Sequence, residues 1–180
     1  VLFSRGCRWR KCRFCAHNAS FAGYRRKSAE GFVDELEGYQ RVHGTSHFYL
    51  ADQYVEAADL DRVADEILRR HLEVFFHVMG KPTEEYTPDR LHKLFRAGCR
   101  WICWGVESGS QRLLDVINKG TRVQDMEALL QDAAGAGISN LAMMIFGLPT
   151  STDLDFRQTV RFLEGVYPSL QAISSGSFVL

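Results

Sequence analysis

The feature that most constrains this chain is an alternation. Short runs rich in β-branched, aromatic and aliphatic residues are each followed by a stretch whose apolar residues recur at helical spacing. Such a pattern specifies an α/β domain in which parallel strands are joined by helical crossovers. Six strands are predicted, over residues 1–4, 47–50, 74–78, 101–106, 141–146 and 170–180. The run at 101–106 is nearly continuously apolar, as expected where both faces of a sheet are covered. A helix over about 28–42 carries Phe32, Val33, Leu36 and Tyr39 at helical spacing, and a second over about 60–70 carries Val63, Ile67 and Leu68. Thr87-Pro88 supplies the N-cap and first position of a third helix, whose apolar stripe is Leu91, Leu94 and Phe95 and whose stop is Gly98. Leu113, Leu114 and Ile117 mark a short helix, Thr121-x-x-Gln124 reads as the capping box of another that ends at Gly137, and the last begins near Thr152.

Right-handed crossovers gather the carboxyl ends of the strands on one side, where sheets of this kind keep their chemistry. Cys7, Asp52, Lys81, Glu107 and Gly147 each fall just past such an end, although they are far apart in sequence. The 180 residues, 46% hydrophobic, suit one domain with a core of its own. Lys+Arg and Asp+Glu both total 22, so no basic surplus marks a nucleic-acid footprint. No apolar run reaches the length of a membrane span and the first residues lack the order of a signal peptide, which makes a cytoplasmic protein the default expectation. The chain opens and closes inside apolar runs, and we expect it to be a piece of a longer protein.

Three of the five cysteines, Cys7, Cys12 and Cys15, crowd into nine residues beside Arg5, Arg8, Arg10, Lys11 and Arg13. This is a poor disulfide framework and points to metal or redox chemistry. Soft thiolates select zinc, copper(I) or iron-sulfur clusters. A closed site wants a fourth ligand, and His17, nearby, reads more simply as a loop residue. Three thiolates on an iron-sulfur cluster leave one iron open for chemistry. The neighbouring cations are expected to lower the thiol pKa values or to form a solvated charged loop. Cys99 and Cys103 read as buried hydrophobes on the fourth strand.

The segment Gly6-Cys7-Arg8-Trp9-Arg10-Lys11-Cys12-Arg13-Phe14-Cys15 resembles the cluster motif of the radical S-adenosylmethionine superfamily, with one residue more than the usual C-x3-C-x2-C in the first gap. Gly105-Val106-Glu107-Ser108-Gly109-Ser110 through Asn118-Lys119-Gly120, then Ala136-Gly137-Ile138 and Ile145-Phe146-Gly147-Leu148-Pro149, are similar to further segments of that family in the same order. The resemblance covers essentially the whole chain and implies a partial (β/α)6 TIM-like barrel. It implies a [4Fe-4S] cluster on the three cysteines, with S-adenosylmethionine chelated to the fourth iron and cleaved to a 5′-deoxyadenosyl radical that abstracts hydrogen from a substrate. By the same resemblance Phe14 lies against the adenine, Asp52 meets the methionine amino group, Glu107 bonds polar groups of the cofactor, Lys119 sits near its carboxylate, and Ile145 and Gly147 border the adenine. Within the superfamily the chain is most similar to the branch of methylthiotransferases and cobalamin-associated methylases and cyclases. Members commonly carry an N-terminal cobalamin domain, which is absent from these residues, so cobalamin concerns a longer parent protein. A flavodoxin or ferredoxin is the implied kind of electron donor.

Ordinary readings stand beside these. Phe14 suits a core, Asp52 a cap, Lys119 a helix terminus and Gly147 a turn. Three rival functions also stay open. One is a non-enzymatic zinc or iron-sulfur module, structural or sensory; another is a degenerate homologue that folds without turnover. The third is a radical maturase of ribosomally made peptides, which Gly23-Tyr24-Arg25-Arg26-Lys27-Ser28 resembles. Specificity in such proteins lies in loops and flanking domains, so the substrate is not legible here.

Overall fold

A computed structural model describes residues 1–21 and 23–179. In chain order the elements are β1 (Ser4–Arg5), α1 (His17–Ser20), β2 (Arg25–Arg26), α2 (Ala29–His43), β3 (His47–Tyr49), α3 (Ala57–Arg69) and β4 (Phe75–Gly80). There follow α4 (Pro88–Arg96), β5 (Cys99–Glu107), α5 (Gln111–Val116), α6 (Val123–Gly135), β6 (Ser139–Phe146), α7 (Asp153–Val166), a 3-10 turn (Tyr167–Ser169) and β7 (Ala172–Ser177). Strands β3 to β7 form one parallel sheet in sequence order. It is the parallel α/β arrangement that the alternation specified, curled into the partial barrel that the resemblance implied.

Local chemistry explains most boundaries. Ser28 Oγ accepts from Gly31 N at 3.0 Å to open α2, which closes at Gly44 in the left-handed region. Thr87 caps α4 with Pro88 at its first turn, and Thr152 and Asp155 form a reciprocal capping box on α7. The box expected at Thr121 and Gln124 does not form. Helix α6 starts at Val123, whose N–H is taken by Gln111 Oε1 at 3.0 Å, and the buried Thr121 Oγ1 has no hydrogen-bond partner. A side chain from the preceding helix has replaced the local cap.

The sheet also differs from expectation at both ends. Residues 1–4 do not make a sixth parallel strand: Ser4–Arg5 pairs antiparallel with Arg25–Arg26. Val1 still lies along the β3 segment, giving its N-terminal ammonium to Tyr49 O and accepting from Ala51 N. The last strand spans Ala172–Ser177 within the expected 170–180, of which Leu180 lies outside the described residues.

Burial along the strands has a period of two. Phe76, Val78, Ile102, Trp104, Val106, Ala142 and Met144 are fully buried, whereas Met79, Trp101, Cys103, Leu141, Met143 and Ile145 are half-buried. The first set is covered by α3, α4 and α6, whose Leu60, Val63, Ile67, Leu91, Leu94, Leu129 and Leu130 are buried. The second set faces the open concave side. The expectation that 101–106 is covered on both faces therefore fails, because the half-barrel leaves its inner face open. Asn140 is a polar hub on the covered side: its Oδ1 accepts from Trp104 Nε1 at 2.7 Å, and its Nδ2 donates to Leu130 O and Ser169 O.

Candidate functional site

The cysteine loop leaves β1 at the carboxyl end of the sheet, and backbone hydrogen bonds fix where it starts. Asp52, past the end of β3 and 2% exposed, accepts from Phe3 N at 3.1 Å and from Ser4 N and Ser4 Oγ, both at 2.5 Å. Gln53 Oε1 accepts from Gly6 N at 3.0 Å. Both Asp52 oxygens are thus engaged by the segment that leads into Cys7, and Asp52 does not cap α3, whose N-cap is Glu56. Further on, Cys15 N donates to Cys12 O and Asn18 Nδ2 donates to the same carbonyl at 2.6 Å, tying the last two cysteines to the first turn of α1.

Cys7, Cys12 and Cys15 are free thiols, all half-buried, and all line one cavity of about 640 Å³ at the carboxyl end of the sheet. Phe14, Asp52, Lys81, Glu107, Lys119 and Ile145 line the same cavity, together with Trp9, Tyr49, Tyr54, Met79, Met143 and Ser174. Residues from five strands, the cysteine loop and the turn after α5 are therefore brought together at the end of the sheet where the topology required them. Gly147 is not among them. It has φ +71° and lines a separate cavity of about 160 Å³ with Phe146, Leu148 and Phe156, which Ile145 also borders. Cys99 is fully buried and Cys103 half-buried, and neither lines the large cavity.

Electrostatics here differ from the sequence expectation. Burial pushes the Cys12 thiol up, and the ammoniums of Lys119 and Lys81 only partly oppose it. Three loop cations have partners of their own: Arg8 pairs with Glu56 at 2.8 Å, Arg10 reaches Asn18 O and Arg13 Nη1 donates to Val116 O at 3.1 Å. Lys119 and Glu107 pair with each other at 2.6 Å, both buried. Gly105 makes room for that pair, since a Cβ there would stand 2.7 Å from Lys119 Nζ and 2.9 Å from Glu107 Oε1. Glu107 has φ +65° at a register shift in β5, an uncommon conformation for a residue with a side chain. The loop that follows is held by α7: Thr159 Oγ1 meets Ser108 Oγ and Gly109 N at 3.1 Å each, and Asp155 accepts from Ser110 Oγ. Lys81 is 8% exposed, and burial together with repulsion from Lys119 pushes its ammonium down to about 8.

The donor set can be tested against a metal centre. Among the described residues no three His, Cys, Asp or Glu side chains gather around a point the size of a single ion. A four-iron cube is larger than an ion and takes thiolates set apart around it. Three thiols on one cavity wall, with buried ammoniums nearby to offset negative charge, fit such a cluster better than a closed zinc site.

A sequence-family model described as the radical SAM superfamily matches residues 1–163. The chain belongs to the radical SAM superfamily. Among curated relatives, an anaerobic magnesium-protoporphyrin IX monomethyl ester cyclase of Rubrivivax gelatinosus is 28% identical over 171 residues, covering 93% of this chain and 31% of the cyclase. The solved structure of the radical S-adenosylmethionine methyltransferase TsrM from Kitasatospora setae, with cobalamin and a [4Fe-4S] cluster bound, superposes with a TM-score of 0.85 at 21% identity over 98% of this chain and 36% of TsrM. The cobalamin-dependent radical enzyme OxsB gives 0.79 at 24% identity over 91% of this chain and 26% of OxsB. This radical SAM chain thus spans between about a quarter and about a third of the length of these three relatives. Among its described residues no helix is long and apolar enough to cross a membrane.

Sequence reasoning on this radical SAM domain missed Trp9, Gln53, Tyr54 and the methionines of the cavity. Trp9 had a legible signal, an aromatic residue inside a first cysteine gap otherwise filled with cations. The inner-face methionines had none, because period-two strands do not reveal which face is left open.

Proposed function

We propose that this chain is the S-adenosylmethionine-cleaving core of a radical enzyme of the cobalamin-associated branch, in which Cys7, Cys12 and Cys15 hold a [4Fe-4S] cluster and leave one iron without a protein thiolate. The observation that carries this reading is the convergence of three free thiols on one 640 Å³ cavity at the carboxyl end of a parallel half-barrel. When bound there, the cluster and S-adenosylmethionine supply one-electron cleavage of a sulfonium and a hydrogen-abstracting carbon radical.

The chain's own residues then have separable tasks. Phe14 and Ile145 offer apolar walls for an adenine. The Glu107–Lys119 pair presents an acceptor and a donor to polar groups of the cofactor, already oriented before binding. Asp52 holds the segment that delivers Cys7 and faces the same cavity, where an amino group is its expected partner. Gly147 keeps the loop after β6 in a left-handed turn beside Ile145, at the edge expected to border the adenine. The cavity continues to the half-open concave face, which is where a substrate would enter. Cobalamin and an electron donor of the flavodoxin or ferredoxin kind belong to the whole protein. The likeness to OxsB and TsrM, whose solved structures hold cobalamin, supports the former.

The reading is tested by anaerobic reconstitution with iron and sulfide, followed by electron paramagnetic resonance of the reduced protein with and without S-adenosylmethionine. The expected result is about four irons and four sulfides per chain and a spectrum that changes on adding S-adenosylmethionine. Stoichiometric zinc with no sulfide would favour the non-enzymatic metal module instead.

A further inference from the structure

We propose that Trp9 is a positioning residue for the cysteine loop: its indole docks the loop on the turn that closes α5, and so sets the placement of Cys7 and Cys12 before any cluster is bound. This rests on the reading above that these cysteines are the ligands, and it assigns a role to the widened first gap of the motif.

The turn after α5 has carbonyls to offer, because the last turn of a helix leaves them without intrahelical partners. The cysteine loop takes three. Trp9 Nε1 donates to Asn118 O at 3.0 Å, Arg13 N donates to Ile117 O at 2.8 Å, and Arg13 Nη1 donates to Val116 O at 3.1 Å. These contacts bracket Cys12 from both sides in sequence.

The indole is also fitted sterically. A Cβ on Gly120 would stand 2.2 Å from the Trp9 ring, so the ring occupies the space a side chain would need. Gly120 also has φ +65°, which any other residue adopts only with strain. On the ring the ammonium of Lys81 lies 3.4 Å from a centroid, and that of Lys11 lies 5.0 Å away. Arg10, next to Trp9, has φ +49°, so the longer gap is accommodated by a left-handed residue. The same turn carries Lys119, the partner of Glu107, so Trp9 ties the cysteine loop to the segment that holds the buried ion pair.

Trp9, with Tyr54 and Lys81, also lines both the thiol cavity and a neighbouring cavity of about 400 Å³ beside Thr121. An aromatic ring fixed at its N–H, on its face and by the glycine beneath it has few ways to move. A loop fixed in this way keeps its thiols apart at a set spacing without a metal to template them.

The test compares wild type, Trp9→Phe, Trp9→Ala and Gly120→Ala. Amide hydrogen exchange is measured over residues 7–15 in the protein without iron, and iron content and the electron paramagnetic resonance spectrum are measured after reconstitution. Trp9→Phe keeps a ring and loses the donor, and Trp9→Ala loses both at a half-buried loop position, so it leaves the fold testable even where Gly120→Ala does not fold. We expect exchange over 7–15 to rise roughly tenfold or more in Trp9→Ala, with an intermediate rise in Trp9→Phe. Reconstituted Trp9→Ala is expected to hold less iron or to give an altered spectrum. Unchanged exchange would overturn the proposal, as would faster exchange with full iron content and a wild-type spectrum. If wild type takes up no cluster, the proposed function fails while the exchange comparison still decides whether Trp9 clamps the loop.

Discussion

Replacing Asp52 by Asn separates two tasks that the sequence alone merges. In the fold the carboxylate accepts three hydrogen bonds, from Phe3 N, Ser4 N and Ser4 Oγ, in a buried setting. An amide keeps one oxygen but turns an NH2 toward backbone donors, so at least one buried N–H loses its acceptor. The bonds that remain lose the assistance of the charge. A charge-assisted hydrogen bond contributes about twice a neutral one, and an unsatisfied buried donor costs about 1–3 kcal/mol. The sum is about 3 kcal/mol, which for a domain of this size lowers the melting temperature by roughly 9 °C. Because the freed segment leads directly to Cys7, iron uptake on reconstitution is expected to fall with stability. Thermal denaturation of the protein without iron, together with iron analysis, measures both. A variant with wild-type melting and full iron, but weakened binding of S-adenosylmethionine, would refute this reasoning and make Asp52 a ligand residue alone.

Three further outcomes follow from particular contacts. Glu107→Gln leaves the Lys119 ammonium buried without its counter-charge and is expected to cost about 3 kcal/mol, with much of the loss recovered in Glu107→Gln/Lys119→Met; a double-mutant cycle showing no coupling would contradict the pair. The Arg112 guanidinium holds the Asp155 carboxyl well below the usual carboxylate range, with help from Ser110 and Thr152. Its stabilisation is therefore fully present above about pH 4 and is lost as pH falls through the folded value. The stability gap between wild type and Asp155→Asn, followed by denaturation against pH, should narrow on acidification and stay level from about pH 5 to 8. Asn140→Ala leaves Trp104 Nε1, Leu130 O and Ser169 O without their partner and is expected to destabilise by about 2–4 kcal/mol in urea unfolding, with the slope unchanged.

The parallel order and the crowding of the strand ends were legible because period and turn chemistry are local. Ser28, Thr87 and Thr152 cap the helices they were expected to open. What failed depended on partners distant in sequence. Thr121 lost its cap to Gln111, and the first segment turned away from the parallel sheet because Arg25–Arg26 was available to pair with Ser4–Arg5 and Asp52 took the N–H groups of Phe3 and Ser4. At the site, the types of residue were legible but their pairings were not. Glu107 and Lys119 meet each other, while Arg8 pairs with Glu56 and Arg13 satisfies a carbonyl at the end of α5. The burial that raises the Cys12 thiol comes from the cavity that elements distant in sequence build beside the loop, which no spacing of cysteines encodes.

The most direct test of the central claim is formation of 5′-deoxyadenosine from S-adenosylmethionine by the reconstituted, dithionite-reduced protein, compared with Cys12→Ala. Cleavage by wild type that disappears in Cys12→Ala is the expected result. A protein that holds a four-iron cluster yet forms no 5′-deoxyadenosine, or a variant that cleaves as well as wild type, would contradict it.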